Sequence, residues 1–275
     1  MPSAGFRWKK KLILSAFAFL LSITVFLSYF VRSLPYFRSE RDTPAAETGV
    51  IVHVYDGDTF RISFGQRERR LRLLGVDSPE IGDPSEELDL WARLARRFSI
   101  YYLLKEQVRL TYEKEREDRY GRLLAYVWIR KNILFNELII RYGLARYFET
   151  SSLSPAMKER LEQAQRKARQ EKKGMWQTVW PEPIESNQAS EYLGELKTVN
   201  FICGEVRVAR GYTLIYDQKK QFQVYISRER RPLFSELEKI RAGDVIAVFG
   251  LIENFRGRPQ MILFYPRQLR VMDRK

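Results

Sequence analysis

The chain carries one cysteine, Cys203, and one histidine, His53, in 275 residues. A lone thiol closes no disulfide within the chain, and one imidazole with one thiol builds no Cys/His zinc site. Serine-protease triads and histidine-based nucleases drop out as well, since His53 sits in a β-rich run and reads as a structural residue. Negative charge is also scarce: 34 Asp and Glu stand against 48 Lys and Arg, a formal charge of +14. No internal repeat or low-complexity tract is present. Any chemistry must therefore come from carboxylates, Arg, Lys, Tyr or a metal held by oxygen.

What is present is the composition of packed protein, 45% hydrophobic and 30% charged, at a length suited to about two domains. Residues 12–31 form twenty positions without charge, Gly or Pro, enough to span a bilayer. Arg7, Lys9, Lys10 and Lys11 precede this run, whereas Arg32, Arg38 and Arg41 beyond it are diluted by Glu40 and Asp42. The positive-inside bias then predicts a single-pass signal-anchor over 1–32 in the cell membrane, its N-terminus cytoplasmic and the rest extracytoplasmic. The rival is a cleaved signal peptide and a secreted product. Against it, the apolar run exceeds a usual signal core, and Ala16-Phe17-Ala18 comes early for a cleavage site.

Charge is spread evenly, at +5 for residues 1–42, +5 for 43–180 and +4 for 181–275. Such a balance favours an anionic partner, and nucleic acid and anionic lipid satisfy it by the same rule. Residues 33–48 read as an exposed linker. Ordered structure is expected from about residue 49 to 180, with strands at 50–55, 59–64, 71–76, 108–112 and 123–129. Helices are expected over 86–105, where Leu88, Trp91, Ala95, Phe98 and Tyr102 recur at helical spacing, and over 134–141 and 155–173. A Pro- and Ser-bearing linker at 181–197 leads to a second region, 198–275. Its strands are expected at 199–208, 212–217, 221–227, 245–252 and 260–265, with a helix or helical turn at 234–240. Five short strands with one helical connection suit a small barrel.

Three clusters place acids or arginines at strand ends: Asp56-Gly57-Asp58-Thr59, residues 72–80 (Arg72 to Glu80), and Asp118-Arg119-Tyr120-Gly121-Arg122. Taken singly, each also reads as an ordinary turn, an acid fixing a loop before Pro, or surface Arg beside Tyr. Taken in order, they resemble the staphylococcal nuclease (thermonuclease) family over roughly residues 50–176. Asn136-Glu137, Gly143-Leu144-Ala145 and Gly174-Met175-Trp176 extend the resemblance.

The resemblance implies an α+β, β-barrel-dominated fold: an OB-like five-stranded nuclease barrel with three helices. It also implies a calcium-dependent phosphodiesterase that cuts DNA and RNA to leave 3′-phosphates. By motif, Asp58 and Asp77 would give metal carboxylates and Ser78 a backbone carbonyl, hard oxygen donors suited to Ca2+. Ser78 stands where the family usually has Thr. Glu80 would hold or activate the attacking water, and Arg72 and Arg122 would grip the phosphate with forked donors. Arg119, Tyr120 and Tyr147 match substrate-contacting positions. Independently of the family, a phosphodiester anion repels hydroxide, so a divalent cation and two guanidinium groups lower the barrier where charge accumulates. Two protein carboxylates imply modest metal affinity, suited to a calcium-rich exterior.

The second region resembles an OB-type nucleic-acid-binding barrel. Tyr212, Tyr216, Phe222, Tyr225 and Phe255 fall beside Arg207, Arg210, Lys219 and Arg256, the mixture a single-strand stacking platform needs. The same aromatics also suit a core, leaving a structural or protein-contact module. Cys203 reads as a buried free thiol, and Trp176 as a packing residue. The leading expectation is a membrane-anchored nuclease acting on DNA or RNA, single strands favoured. Two alternatives stay open: a non-catalytic nucleic-acid- or protein-binding module on a nuclease-like barrel, and a basic membrane protein whose charge serves lipid contact.

Overall fold

Alternating burial closes the first sheet on itself. The computed structural model describes residues 46–272, and the expected anchor over 12–31 lies outside them. Among the described residues no helix is long and apolar enough to cross a membrane. Strands β1 (Glu47–Val54), β2 (Thr59–Phe64), β3 (Arg67–Leu73), β5 (Gln107–Thr111) and β6 (Leu123–Ile129) run in the order β3-β2-β1-β5-β6, and β3 pairs back to β6 in parallel. The result is a closed five-stranded barrel. Ile51, Phe60, Ile62, Leu71, Leu73, Val108, Leu110 and Ala125 point inward and are buried, while Arg61 and Arg70 alternate outward. A two-residue strand, β4 (Val76–Asp77), pairs with β8 (Arg146–Tyr147) outside the barrel. The short β7 (Ile133–Leu134) pairs antiparallel with the end of β6.

Helices α1 (Glu86–Leu103), α2 (Phe135–Arg141) and α3 (Pro155–Gln170) complete this half. Ser85 caps α1 by accepting the Leu88 N–H, and three acids in the first turn complement the helix dipole. Phe98, Tyr102, Phe135 and Tyr142 form an aromatic cluster beneath the barrel. Asn136 is wholly buried; its side chain accepts from Val127 N–H and donates to the carbonyls of Leu74 and Ala125. That one amide ties the β3–β4 turn to β6 and holds the barrel shut beside β4. Gly143 sits at φ +67°, where an added Cβ would lie 2.1 Å from the Lys173 carbonyl oxygen; only glycine fits.

Residues 181–197 are ordered into β9 (Pro183–Glu185) and a 3-10 helix at Ser186–Tyr192. A second barrel follows, built from β10 (Leu196–Val208), β11 (Tyr212–Asp217), β12 (Gln223–Ser227), β13 (Val245–Phe255) and β14 (Arg258–Leu263). The long β10 serves both walls, pairing with β13 over 196–202 and, past a register shift near Cys203, with β11. β12 and β14 run parallel and β13–β14 closes the ring. β15 (Leu269–Met272) adds an outer strand to β13. The helical connection before β13 consists of two 3-10 turns, Arg231–Leu233 and Ser235–Glu238.

The two barrels share one compact unit and meet along α1. The Arg97 guanidinium donates twice to Glu253, at 2.8 and 2.6 Å, and Trp91 packs edge-on against Phe249. Asp89, itself 1% exposed, accepts from the Tyr265 hydroxyl at 2.6 Å, from Arg93 and from the Gly82 N–H, with Arg230 at 3.7 Å. Burial pushes the Asp89 carboxyl up, but these donors outweigh it and hold it below the ordinary value.

Candidate active site

The turn between β1 and β2 places the first acid. Asp56 accepts the N–H groups of Asp58 and Thr59 at 2.9 and 2.7 Å, which fixes the turn. Gly57 presses against Ser78 and α1: a Cβ there would lie 2.7 Å from the Ser78 Cβ and 2.8 Å from that of Ala95, and its carbonyl accepts the Ser99 hydroxyl. The Asp58 side chain is thereby driven inward to complete burial.

Both oxygens of Asp58 are occupied. Oδ2 accepts the Ser78 N–H at 2.6 Å, while Oδ1 accepts the Thr59 hydroxyl at 3.0 Å and an Arg72 Nη1 donor. Arg72, on β3, also donates through Nη2 to Asp77 at 3.0 Å and to the Val76 carbonyl at 3.2 Å. One guanidinium thus bridges two carboxylates that come from different turns. Burial raises the Asp58 carboxyl to about 7, while Arg72 and the Ser78 N–H pull against the rise and neighbouring Asp56 adds to it.

Asp77 differs from Asp58 in surroundings. Its side chain is 51% exposed, on β4 opposite Arg146 of β8, so one face of its carboxylate is open to solvent. Ser78 is buried beneath it. Glu80 lies two residues further, exposed, and its carboxylate makes no ion pair among the described residues. The donor set beside Arg72 is entirely oxygen. Among the described residues no group of three or more Asp, Glu, His or Cys side chains forms a cage for a metal. Two carboxylates and a carbonyl fit calcium in kind, with water filling most of the shell.

Arg122 immediately precedes β6, the strand that pairs with that of Arg72. The β3–β6 register pairs Leu71 with Leu123 and Arg72 with Leu124, so Arg122 shares the outer face with Arg70 and Arg72. Its guanidinium is held by Asp118 at 2.7 Å rather than by the Asp58–Asp77 pair. Burial pushes Asp118 up, but hydrogen bonds from Arg122 and the Tyr120 N–H leave it below its usual range. Asp118 therefore fixes the turn and stations Arg122 at the head of β6. Arg119 stacks on the ring of Tyr120, itself 68% exposed, and donates to its hydroxyl at 2.7 Å. Tyr147 sits on β8 opposite Val76, half-buried, its N–H held by Gln165; burial raises its hydroxyl pKa.

The structure thus brings Asp58, Arg72, Asp77 and Ser78 into contact, and sets Arg122, Arg119 and Tyr120 on the adjoining strand head. Glu80 extends from the loop between β4 and α1. Asp89 anchors that loop at Gly82 and was not singled out in the sequence; the signal was an acid among the apolar residues of α1. In the second barrel Phe222 and Tyr216 are buried, while Tyr212, Tyr225 and Phe255 stay at least partly accessible. Tyr212 and Tyr225 lie with ring centroids 5.8 Å apart.

Known proteins resemble this chain chiefly over the first barrel. Residues 70–178 match the family described as staphylococcal nuclease homologue. The chain is 35% identical over 156 residues to a thermonuclease of Staphylococcus hyicus, covering 56% of this chain and 90% of that protein. It is 31% identical over 170 residues to a thermonuclease of Staphylococcus intermedius, covering 61% of this chain and 99% of that protein. An uncharacterized endonuclease of Escherichia coli is 30% identical over 135 residues, covering 49% of this chain and 80% of that protein.

Proposed function

The chain belongs to the staphylococcal nuclease family, and from that membership we propose that it is a nuclease hydrolysing phosphodiester bonds of DNA or RNA. The observation that carries the reading is the convergence of Arg72, Asp58 and Asp77 at one spot. Asp58 and Asp77, with the Ser78 carbonyl, would hold calcium, which supplies positive charge beside the reacting phosphate. Arg72 and Arg122 donate to the phosphate oxygens and offset the charge that builds there. Each guanidinium now faces a carboxylate, so an entering phosphate competes for donors already aimed at an anion. Glu80, exposed and without an ion pair among the described residues, accepts a proton from water as that water attacks phosphorus. The bond to the 5′-oxygen breaks and that oxygen takes a proton from solvent, leaving a 3′-phosphate and a 5′-hydroxyl.

The test is cleavage of single-stranded DNA by the full-length chain in calcium, with a chelator arm. Glu80→Gln should slow cleavage about 10²- to 10⁴-fold, the usual loss of a general base. Arg122→Ala should slow it about 10²- to 10³-fold, as for a deleted transition-state donor. Unchanged cleavage by Glu80→Gln would reject its role. Binding without cleavage under every divalent cation would favour the non-catalytic module.

The proposal extends to place and partner. The basic flank and apolar run at 7–31 support a single-pass anchor with residues 49–180 as the nuclease unit outside the membrane. A reporter fused after Lys275 should register as exported, and a cytoplasmic signal would overturn this. The accessible Tyr212–Tyr225 pair and Phe255 beside Arg256 support single-strand contact by the 198–275 barrel.

A further inference from the structure

The outer face of the first barrel carries a basic row that extends beyond the residues the nuclease chemistry uses. His53 of β1 pairs with Arg61 of β2, and Arg61 with Arg70 of β3. The β3–β6 register begins at Leu71 opposite Leu123, and carried one residue back it sets Arg122, just ahead of β6, on the side of Arg70. Four basic or potentially basic side chains therefore form a row across four strands. Three of them, His53, Arg61 and Arg70, are exposed. Successive strands lie roughly 4.8 Å apart, so the row spans about 14 Å, room for several phosphates of one strand.

Arg61 directly opposite Arg70 is a like-charge cross-strand pair, an arrangement that disfavours the sheet. Tyr55 offsets part of it. Its hydroxyl accepts from Arg61 Nε and Nη2 at 3.0 and 2.6 Å, and the Arg70 and Arg61 guanidinium carbons lie 4.7 and 5.7 Å from its ring centre. His53 meets the same ring edge-on at 4.5 Å. The acid paired with the row on this side is Glu68, 3.6 Å from Arg61 and about half exposed. At the other end Tyr120 is flanked by Arg119 and Arg122 at 4.8 and 5.5 Å. Arg72 lies two residues along β3 from Arg70, on the same face.

We propose that this face is a track for a single nucleic-acid strand, running from Tyr55, Arg61 and Arg70 to the phosphate site at Arg72 and Arg122. Arg61 and Arg70 take phosphates, and the exposed Tyr120 ring offers a stacking surface for an unpaired base. Fixed arginines interleaved with rings suit a strand with separate phosphates and open bases. An anionic lipid surface needs charge alone. The inference rests on the nuclease reading for where the track leads; the binding itself is independent of it.

The test measures anisotropy of a fluorescent 20-mer single-stranded DNA with the full-length chain, in chelator, over a salt series. Removing two phosphate contacts in Arg61→Ala/Arg70→Ala should flatten the slope of log K against log salt by about 1.4, and weaken binding about tenfold at low salt. Arg166→Ala/Lys167→Ala, an equal charge loss on exposed positions of α3, should leave the slope close to wild type. An unchanged slope in the first pair, or equal changes in both, overturns the track. So does a loss of sedimentation with phosphatidylserine vesicles by the first pair while oligonucleotide affinity stays at the wild-type level. Arg61→Gln/Arg70→Gln is read the same way should the alanine pair fail to fold. A wild type that shows the Arg61/Arg70 dependence but never cuts sinks the nuclease reading alone. One that cuts while the variants bind normally sinks the track alone.

Discussion

Replacing Arg97 with Ala isolates one of the contacts that join the two barrels. Glu253 is 7% exposed in its side chain and Arg97 28%, and two hydrogen bonds link them across 156 positions of sequence. Removing the guanidinium strands a carboxylate in a low-dielectric seam. Losing one partner of a buried pair costs about 3–5 kcal/mol, and the partial exposure of Arg97 sets the expectation near 3. With a urea m-value of about 3 kcal/mol/M, the unfolding midpoint should fall by about 1 M at pH 7.5. Burial already raises the Glu253 carboxyl while Arg97 lowers it, so the variant carries it higher still. A carboxyl whose folded pKa lies above its unfolded value penalises the fold as pH rises through that range. The penalty disappears below the unfolded value of about 4.3, where both states are protonated. The deficit should therefore shrink between pH 7.5 and 4.5. Arg97→Met/Glu253→Leu, which removes both charges, should return to within about 1 kcal/mol of wild type. A deficit below about 1 kcal/mol, or one that does not respond to pH, would refute the claim that this pair is a buried fastening.

The second fastening also weakens toward acid, but through a carboxyl held below its ordinary value rather than above it. Tyr265→Phe deletes a donor to Asp89 and should cost about 1–3 kcal/mol at pH 6. Because Asp89 sits below its ordinary pKa, its stabilisation is present above about 3.9 and lost as pH falls through the lowered value, so the gap between variant and wild type should narrow as pH falls from 6 into the acid range. Urea melts across that range decide it. Cys203 is 1% exposed and burial, with Asp244 nearby, pushes its thiol to about 11. Ellman's reagent at pH 8 should label it only after denaturation, and prompt labelling of the native chain would contradict its placement.

Much of the first barrel was legible because its signals are local. Period-two runs gave the strands, and the turn residues Asp56 and Gly57 marked the hairpin that carries Asp58. The short pairings Val76–Asp77 with Arg146–Tyr147, and Pro183–Glu185 with β10, were not legible, since two or three residues hold no period. The aromatic platform expected in the second barrel divided for a similar reason. A buried aromatic such as Phe222, just ahead of β12, and an exposed one such as Phe255, at the end of β13, look alike until register is known. The partners Asp89–Tyr265 and Arg97–Glu253 lie 176 and 156 positions apart, and nothing local encodes such pairs. One trace was available: α1 buries Leu90 and Leu94 as well as the Trp91, Ala95 and Phe98 stripe. A helix apolar on more than one side must meet more than one partner.

That breadth explains how the second barrel reaches the candidate site. One side of α1 carries Ala95 and Ser99 against the Gly57 turn that presents Asp58. Its first turn carries Asp89, gripped by Tyr265 of the second barrel on one oxygen and by the Gly82 N–H on the other. Gly82 belongs to the loop that bears Glu80. The helix is a rigid element between two backbone segments, the turn holding a buried carboxylate and the loop holding an exposed one. A shift of the second barrel along the Arg97–Glu253 seam would act on both segments through the same helix. The second barrel is thereby joined, through one helix, to the segments that carry Asp58 and Glu80 without contributing a side chain to either. That role differs from its proposed contact with nucleic acid, because it depends on Tyr265 and Glu253 and not on the Tyr212–Tyr225 pair.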